Sequence, residues 1–60
     1  MIGKKFKNNN NEKDYVVRML VEVRENDVFV KGVLYSAVDT PSNSYVRTLT
    51  DFEDNFTEVV

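Results

Sequence analysis

Cysteine and histidine are both absent from this chain of 60 residues. Without cysteine there is no disulfide framework and no thiolate metal centre, and without histidine the commonest metal ligand and general base is missing. Ser36, Ser42 and Ser44 are present, but none of them has a histidine partner with which to form a nucleophilic triad. We therefore expect a protein that is not an enzyme and that has no catalytic residue, no metal and no cofactor.

Glycine, proline and long apolar runs are scarce. The two glycines are Gly3 and Gly32, and neither opens a helix after a strand, so no phosphate-binding loop is predicted. No apolar run approaches the length of a membrane span, and the first six residues are too short and too charged for a signal peptide. These features predict a soluble, cytoplasmic protein that does not bind a membrane.

Charge is unevenly spread along the chain, which has a net charge of −2. Residues 1–31 contain seven basic and five acidic residues, whereas residues 32–60 contain one basic and five acidic residues. The solvated faces of a soluble domain explain this gradient most simply, although such a gradient would also orient a charged partner. Asp51, Glu53 and Asp54 fall at the start of a predicted helix, where they complement the helix dipole and are not expected to hold a metal ion.

Alternating side chains predict two long strands in the middle of the chain. The predicted inner face of residues 15–24 carries Tyr15, Val17, Met19, Val21 and Val23. The predicted outer face of the same strand carries Val16, Arg18, Leu20 and Glu22. A turn cluster at residues 25–27 leads to a second strand over residues 28–38, which makes a hairpin. Gly32 falls inside that second strand, where it permits the bend or bulge that a small barrel needs to close.

Shorter elements complete the pattern. Residues 3–7 predict a first strand with Phe6 pointing inward, and residues 8–13 predict a flexible Asn-rich loop. Residues 39–44 have turn chemistry and lead to a strand at residues 45–49.

The closing segment predicts a helical turn and a last strand. Thr50-Asp51-Phe52-Glu53 matches a capping box, and residues 57–60 would pair back near the first strand. The fold class is therefore all-β (mainly): a small SH3-like, partly open β-barrel of about five strands with one short helical turn before the last strand. Residues 1–60 form a single SH3-like domain.

Both long strands carry more apolar side chains than a small monomer requires. Val16 and Leu20 lie opposite the predicted inner face, and burying such side chains stabilises a protein by roughly 1.5–3 kcal/mol each. Tight curvature of the barrel would enclose some of them, and a symmetric homodimer would cover the rest. Val16 and Leu20 are accordingly the predicted dimer contacts.

Several short segments match a known pattern: Gly3 to Phe6, Tyr15 to Val17, Leu34-Tyr35, and Tyr45-Val46-Arg47 through Phe52. In these segments the chain resembles a family of small, uncharacterised SH3-like proteins of bacteria and bacteriophages. Thr48 stands where that family usually has proline, and the connection 39–44 is of a kind that varies. The resemblance implies a partly open β-barrel and an origin in a phage or prophage, and it implies no reaction.

The leading functional hypothesis is a non-enzymatic, phage-type accessory protein that binds a bacterial host protein in the host cytoplasm. Such contact would inhibit a host enzyme or an antiviral defence system. Aromatic residues beside an arginine are favoured at binding hot spots, and the predicted partner-binding residues are Tyr35, Tyr45, Arg47, Asp51 and Asp54. A structural reading of the same group packs both tyrosines at the barrel edge and pairs Arg47 with a carboxylate such as Glu53.

Two other functions are compatible with the composition. A nucleic-acid-binding barrel would use the basic residues Lys4, Lys5, Lys7 and Lys13, with Phe6 or Tyr15 as a stacking platform. An acidic nucleic-acid mimic would use Asp39, Asp51, Glu53, Asp54 and Glu58 to block a DNA-handling enzyme. The overall acidity counts against the first function, and five carboxylates are few for the second.

Overall fold

The computed structural model describes residues 1–60 and shows a small antiparallel β protein with one short helix. In chain order the elements are β1 (Lys5–Asn8), β2 (Asp14–Glu25), β3 (Val28–Ala37), β4 (Ser44–Thr48), α1 (Leu49–Asn55) and β5 (Phe56–Glu58). The predicted order of strands and helical turn is therefore confirmed. The all-β fold is consistent with the SH3-like class predicted from the sequence.

All five strands belong to one sheet in the order β4-β3-β2-β1-β5. The last strand pairs with the first, with Phe6 opposite Glu58 and Asn8 opposite Phe56, as the sequence predicts. The sheet does not close, because β4 and β5 remain at its two edges. It curves around the helix, so the core lies between α1 and the inner face of the sheet.

The core is built from aromatic and β-branched side chains. Phe52 of α1 is fully buried, and its ring stacks on that of Phe56 with centroids 4.2 Å apart. The ring of Phe6 meets Phe52 edge-on at 5.0 Å, which places Phe6 inward as predicted. The complete buried apolar set is Phe6, Tyr15, Val17, Val33, Tyr35, Ala37, Phe52 and Phe56.

A β-bulge at Arg18 changes which face of β2 points inward. Val17 is opposite Tyr35 and Met19 is opposite Leu34, so Arg18 is an extra residue in the ladder. Because directly opposite residues share a face, Leu20 lies on the inner side with its partner Val33. The prediction that Tyr15, Val17, Met19, Val21 and Val23 share one face is therefore wrong beyond the bulge.

The helix begins two residues earlier than the capping box predicted. Thr48 is the N-cap, and its Oγ1 accepts a hydrogen bond from the Asp51 backbone N–H at 3.2 Å. Thr50, the predicted cap, lies inside the helix. The sequence offers two threonines that each precede an acidic residue by three positions, and the earlier one is used because β4 ends there.

The Asn-rich segment begins inside the sheet. Asn8 is the last residue of β1 and is buried, and its side-chain oxygen accepts hydrogen bonds from the backbone N–H groups of Asn10 and Asn11 at 2.8 and 3.3 Å. Asn9, Asn10 and Asn11 are exposed. Asn8 therefore holds the turn to the sheet, as asparagine side chains commonly do in local turns.

Gly32 is required for close approach of neighbouring groups, and the bulge predicted near it lies instead at Arg18. A Cβ at this position would meet a methyl group of Val23, and it would be only 3.1 Å from the backbone oxygen of Arg47. Gly32 is opposite both Val21 on β2 and Thr48 on β4. The missing side chain thus lets β2, β3 and β4 pack tightly where the hairpin leaves the core.

Candidate interaction surfaces

Arg47 connects β3, β4 and α1 through a set of short contacts. Its Nε donates to the Tyr35 hydroxyl at 2.8 Å, and its Nη1 donates to Asp51 Oδ2 at 2.8 Å. The guanidinium carbon lies 5.3 Å from the centre of the Phe56 ring, within cation–π range. The hydrogen bond to Tyr35, opposed by desolvation and joined by Asp51, raises the pKa of Arg47 above its usual value.

The structure brings together four of the five predicted partner-binding residues. Tyr35 is buried, and the Tyr45 ring lies 5.7 Å from it and is 43% exposed. Asp51 completes the group through its ion pair with Arg47. Asp54 is exposed and makes no side-chain hydrogen bond or ion pair. Arg47 pairs with Asp51, one helical turn on, and not with Glu53.

The hydrogen-bonding groups of these residues are mostly used within the chain. Two donors of Arg47 are occupied by groups of the same chain, and Asp51 also accepts from the side-chain amide of Asn55 at 3.0 Å. The pairing of Arg47 with a carboxylate agrees with the structural reading of the group, and because that carboxylate is Asp51 it also joins the start of α1 to the sheet. A role of the five residues in partner binding stays a prediction.

The aromatic rings proposed as a stacking platform beside the basic segment are buried in the structure. Lys4, Lys5 and Lys7 are exposed. Phe6 and Tyr15, however, are only 9% and 8% exposed, and both rings pack against other aromatic rings in the core. Neither ring can stack on a base in this fold, so the prediction of an aromatic platform is wrong.

The outer face of the sheet, away from α1, carries a group of exposed and partly exposed apolar side chains. Register places on this side Val16, Met19, Val21, Val23, Val28, Val30, Leu34 and Val46. Met19, Val28 and Val46 are each about half exposed, at 49%, 58% and 51%, and the others are partly exposed. We call this set the outer face.

The two predicted dimer contacts do not lie together. Val16 is opposite Ser36 on the outer face, whereas Leu20 is opposite Val33 on the inner face. The bulge at Arg18 separates them, because it shifts the alternation of β2 by one residue. The prediction that Val16 and Leu20 share one face is therefore wrong, and their role as dimer contacts stays a prediction.

The hairpin of β2 and β3 extends past the rest of the domain. Beyond the core, a shallow open depression of about 470 Å³ on the hairpin is lined by the inner-side residues Leu20, Glu22, Phe29 and Lys31 and by Val21 of the outer face. Phe29, one of the four phenylalanines of the chain, is 64% exposed there. Sequence reasoning missed this projection, because an unbroken alternation would have placed these side chains differently.

The remaining polar features do not form a metal site. One carboxylate oxygen of Asp14 is buried without a hydrogen-bond partner, beside a small depression of about 200 Å³ lined by Lys13, Asp14, Val38 and Asp39. No group of three or more Asp or Glu side chains is placed to hold a metal ion. The helix is also too short and too polar to cross a membrane.

The fold and these surfaces define a class: a small, open, antiparallel all-β domain of SH3-like type with an exposed apolar sheet face. Searches against protein-family models, curated proteins and solved structures gave no match.

Proposed function

We propose that this chain is a non-enzymatic protein-binding module whose partner docks on the outer face. The observation that carries the proposal is the group of apolar side chains that extends on that face across β2, β3 and β4 from Met19, Leu34 and Val46 to Val28. Beside Val16 the same face is polar, because Arg18 donates a hydrogen bond to Ser36 at 2.9 Å. Contiguous apolar surface of this kind on a small domain is typical of interaction sites. The face is framed by charged groups, among them Lys5 and Lys7 on β1, as the rim of a protein interface commonly is.

Energetics favour a partner that covers this face. Full burial of an exposed Val, Leu or Met side chain contributes roughly 1.5–3 kcal/mol. A domain of 60 residues is marginally stable, with a free energy of unfolding of about 3–9 kcal/mol from the usual value per residue. Covering even three half-exposed residues such as Met19, Val28 and Val46 would therefore contribute a free energy that is a substantial fraction of the free energy of unfolding.

The class of partner follows from the resemblance noted in the sequence. We propose a phage-type accessory protein that binds a bacterial host protein in the host cytoplasm and inhibits a host enzyme or an antiviral defence system by covering its surface. The small size of the chain, 7.0 kDa, supports this proposal, because a chain of this size would affect a larger protein by binding to it and covering part of its surface. The partner is expected to present an apolar patch of its own.

We place the docking surface on the outer face and not on the Arg47 cluster. The side chains of Arg47 and Asp51 already form an ion pair within the chain, and Tyr35 is buried. Hot-spot residues contribute to binding when their groups become desolvated against a partner. The outer-face side chains meet that condition, because they are apolar and still exposed.

Two neighbouring residues allow a matched test. Met19 and Leu20 are equally exposed, at 49% each, but they lie on opposite faces of β2. The wild-type chain and the variants Met19→Glu and Leu20→Glu would be immobilised and exposed to bacterial lysate, and the retained proteins quantified by mass spectrometry. We expect a stoichiometric protein that is retained by wild type and Leu20→Glu and lost with Met19→Glu.

The same comparison can refute the proposal. Equal retention by both variants would show that the outer face is not the docking surface, and loss with Leu20→Glu alone would assign binding to the inner side of the hairpin. Turnover of a substrate by the purified chain would contradict the non-enzymatic assignment. Circular dichroism of each variant serves as the control for folding.

A further inference from the structure

Most of β2 has a free edge. The strand is twelve residues long, but β1 pairs only with Asp14, Tyr15 and Val16. Two further backbone hydrogen bonds hold Val17: the Gly3 N–H donates to the Val17 carbonyl at 2.8 Å, and the Val17 N–H donates to the Lys4 carbonyl at 3.1 Å. Arg18 is the bulge, and from Met19 to Glu25 the backbone pairs with β3 on one side and has no backbone partner on the other.

Such an edge is a template for another strand. It presents a row of unpaired N–H and C=O groups, and natural proteins usually blunt such edges with proline, lysine or a bulge in the exposed stretch. Residues 18–25 contain no proline and no lysine, and the bulge lies at their start. Their four charged residues are Arg18, Glu22, Arg24 and Glu25, two of each sign, so a second copy can pair them instead of being repelled. The other free edges are shorter: they lie on β4 and β5, strands of five and three residues, and on Val28–Lys31 of β3, which ends in a lysine.

We infer that two copies of this chain pair along the free edges of β2, antiparallel, about a two-fold axis at Val23. The result is a continuous sheet in which each hairpin lies beside its symmetry mate. An antiparallel edge is self-complementary under a two-fold axis, so one surface serves both copies. This inference rests on the backbone edge and does not depend on the proposed function.

Symmetry and charge select the register. Opposite residues in antiparallel strands share a face, so the two-fold axis must pass through a residue and not between two residues. An axis at Val21 would place the hairpin turn of one copy, at Asn26 and Asp27, against the stretch of β2 that β1 already occupies. Axes at Glu22 and Arg24 would each set a residue against its own copy with like charge.

The axis at Val23 removes these conflicts. It places Glu22 of each copy opposite Arg24 of the other, which makes two pairs of opposite charge on the same side of the sheet. Arg24 already forms an exposed ion pair with Asp27 at 2.9 Å, and the remaining N–H groups of its guanidinium can donate to a second carboxylate. The hairpin turns then end short of Val17, so β1 stays in place.

Pairing in this way doubles the outer face. Met19, Val21 and Val23 of the two copies lie on the same side of the joined sheet, because a two-fold axis perpendicular to the sheet preserves the face. The apolar surfaces of the two chains therefore become one surface. Leu20 remains on the inner side in both copies.

Charge reversal tests the register directly. Glu22→Arg sets two arginines opposite each other, and Arg24→Glu sets two glutamates opposite each other, so each variant alone should dimerise at least about tenfold more weakly. A 1:1 mixture of the two variants restores both opposite-charge pairs and should form heterodimers. Glu25→Arg makes the same charge change at a position whose predicted partner is Val21, and it should leave the dimer intact.

A second test leaves the charges unchanged. Because the chain has no cysteine, Val23→Cys introduces a single thiol at the two-fold axis. Opposite Cβ atoms there lie about 4.5–5.5 Å apart, close enough for a disulfide after small adjustment. Mild oxidation should give a covalent dimer. Val30→Cys lies opposite Val23 on β3, one strand further from the axis, and should not cross-link.

Light scattering provides the readout, with circular dichroism as the control for folding. We expect the wild-type chain at micromolar concentration to have twice the monomer mass of 7.0 kDa. A monomeric wild type at that concentration would overturn the inference. So would a mixture of Glu22→Arg and Arg24→Glu that stays monomeric, or cross-linking of Val30→Cys as fast as Val23→Cys.

Discussion

The replacement Phe52→Ala tests whether the aromatic core holds this fold together. Phe52 is the one buried residue of α1, it is fully buried, and its ring lies within 5.3 Å, between centroids, of the rings of Phe6, Tyr35 and Phe56. No other side chain of the helix reaches the core so deeply. Its removal would leave a cavity at the centre of the only aromatic cluster.

The expected magnitude follows from cavity formation. Replacing a buried phenylalanine by alanine costs about 3–5 kcal/mol. A domain of this length has a free energy of unfolding of about 3–9 kcal/mol, so Phe52→Ala should remove most of that free energy. The milder change Phe52→Leu keeps most of the volume and should cost less than about 1.5 kcal/mol if the site repacks as cores usually do after similar-sized swaps.

Urea denaturation followed by circular dichroism and tyrosine fluorescence measures both variants, since the chain has three tyrosines and no tryptophan. We expect Phe52→Ala to be largely unfolded or to have a strongly lowered midpoint, and Phe52→Leu to unfold cooperatively. A loss below 1 kcal/mol for Phe52→Ala, well under the cavity range, would refute the assignment of Phe52 to the centre of the core.

Three further predictions concern local contacts. Thr48→Ala should cost about 1 kcal/mol and Thr50→Ala close to none, because only Thr48 caps the helix; equal losses in thermal melts would contradict this assignment. Tyr35→Phe should cost about 0.5–1.5 kcal/mol through the lost bond to Arg47, and no measurable change in urea midpoint would show that this bond is dispensable. Gly32→Ala should destabilise by about 1–3 kcal/mol because β2 and the Arg47 carbonyl leave no room for a methyl group, whereas a raised melting temperature would show that the sheet yields.

Sequence alone predicted the fold class and the order of the elements. Strand alternation and the turn cluster at 25–27 each act within a few residues, so the pattern shows them directly. The grouping of Tyr35, Tyr45, Arg47 and Asp51 was also predictable. Alternation in β4 places Tyr45 and Arg47 on one side, and Asp51 comes only four residues after Arg47, in the first turn of α1.

The bulge at Arg18 could not be predicted from the same pattern. Unbroken alternation keeps Val21 and Val23 inside and Glu22 and Arg24 outside, so the sequence pattern favours the register without the bulge. The observed register puts Glu22 and Arg24 on the inner side, where both remain exposed because the hairpin extends beyond the core. Everything beyond the bulge, including the exposure of Met19 and the position of Leu20, depended on it. The free edge of β2 was hidden for a related reason, because pairing partners are set by the whole sheet and not by any one segment.

The central claim is that another protein covers the outer face. The most direct measurement is methyl NMR of the isotope-labelled chain while the protein retained from lysate is added in steps. The account predicts that methyl signals of Met19, Val30 and Val46 shift or broaden while those of the buried Val17 and Val33 stay nearly unchanged. Changes confined to residues around Arg47, with the outer-face methyl signals unaffected, would contradict it.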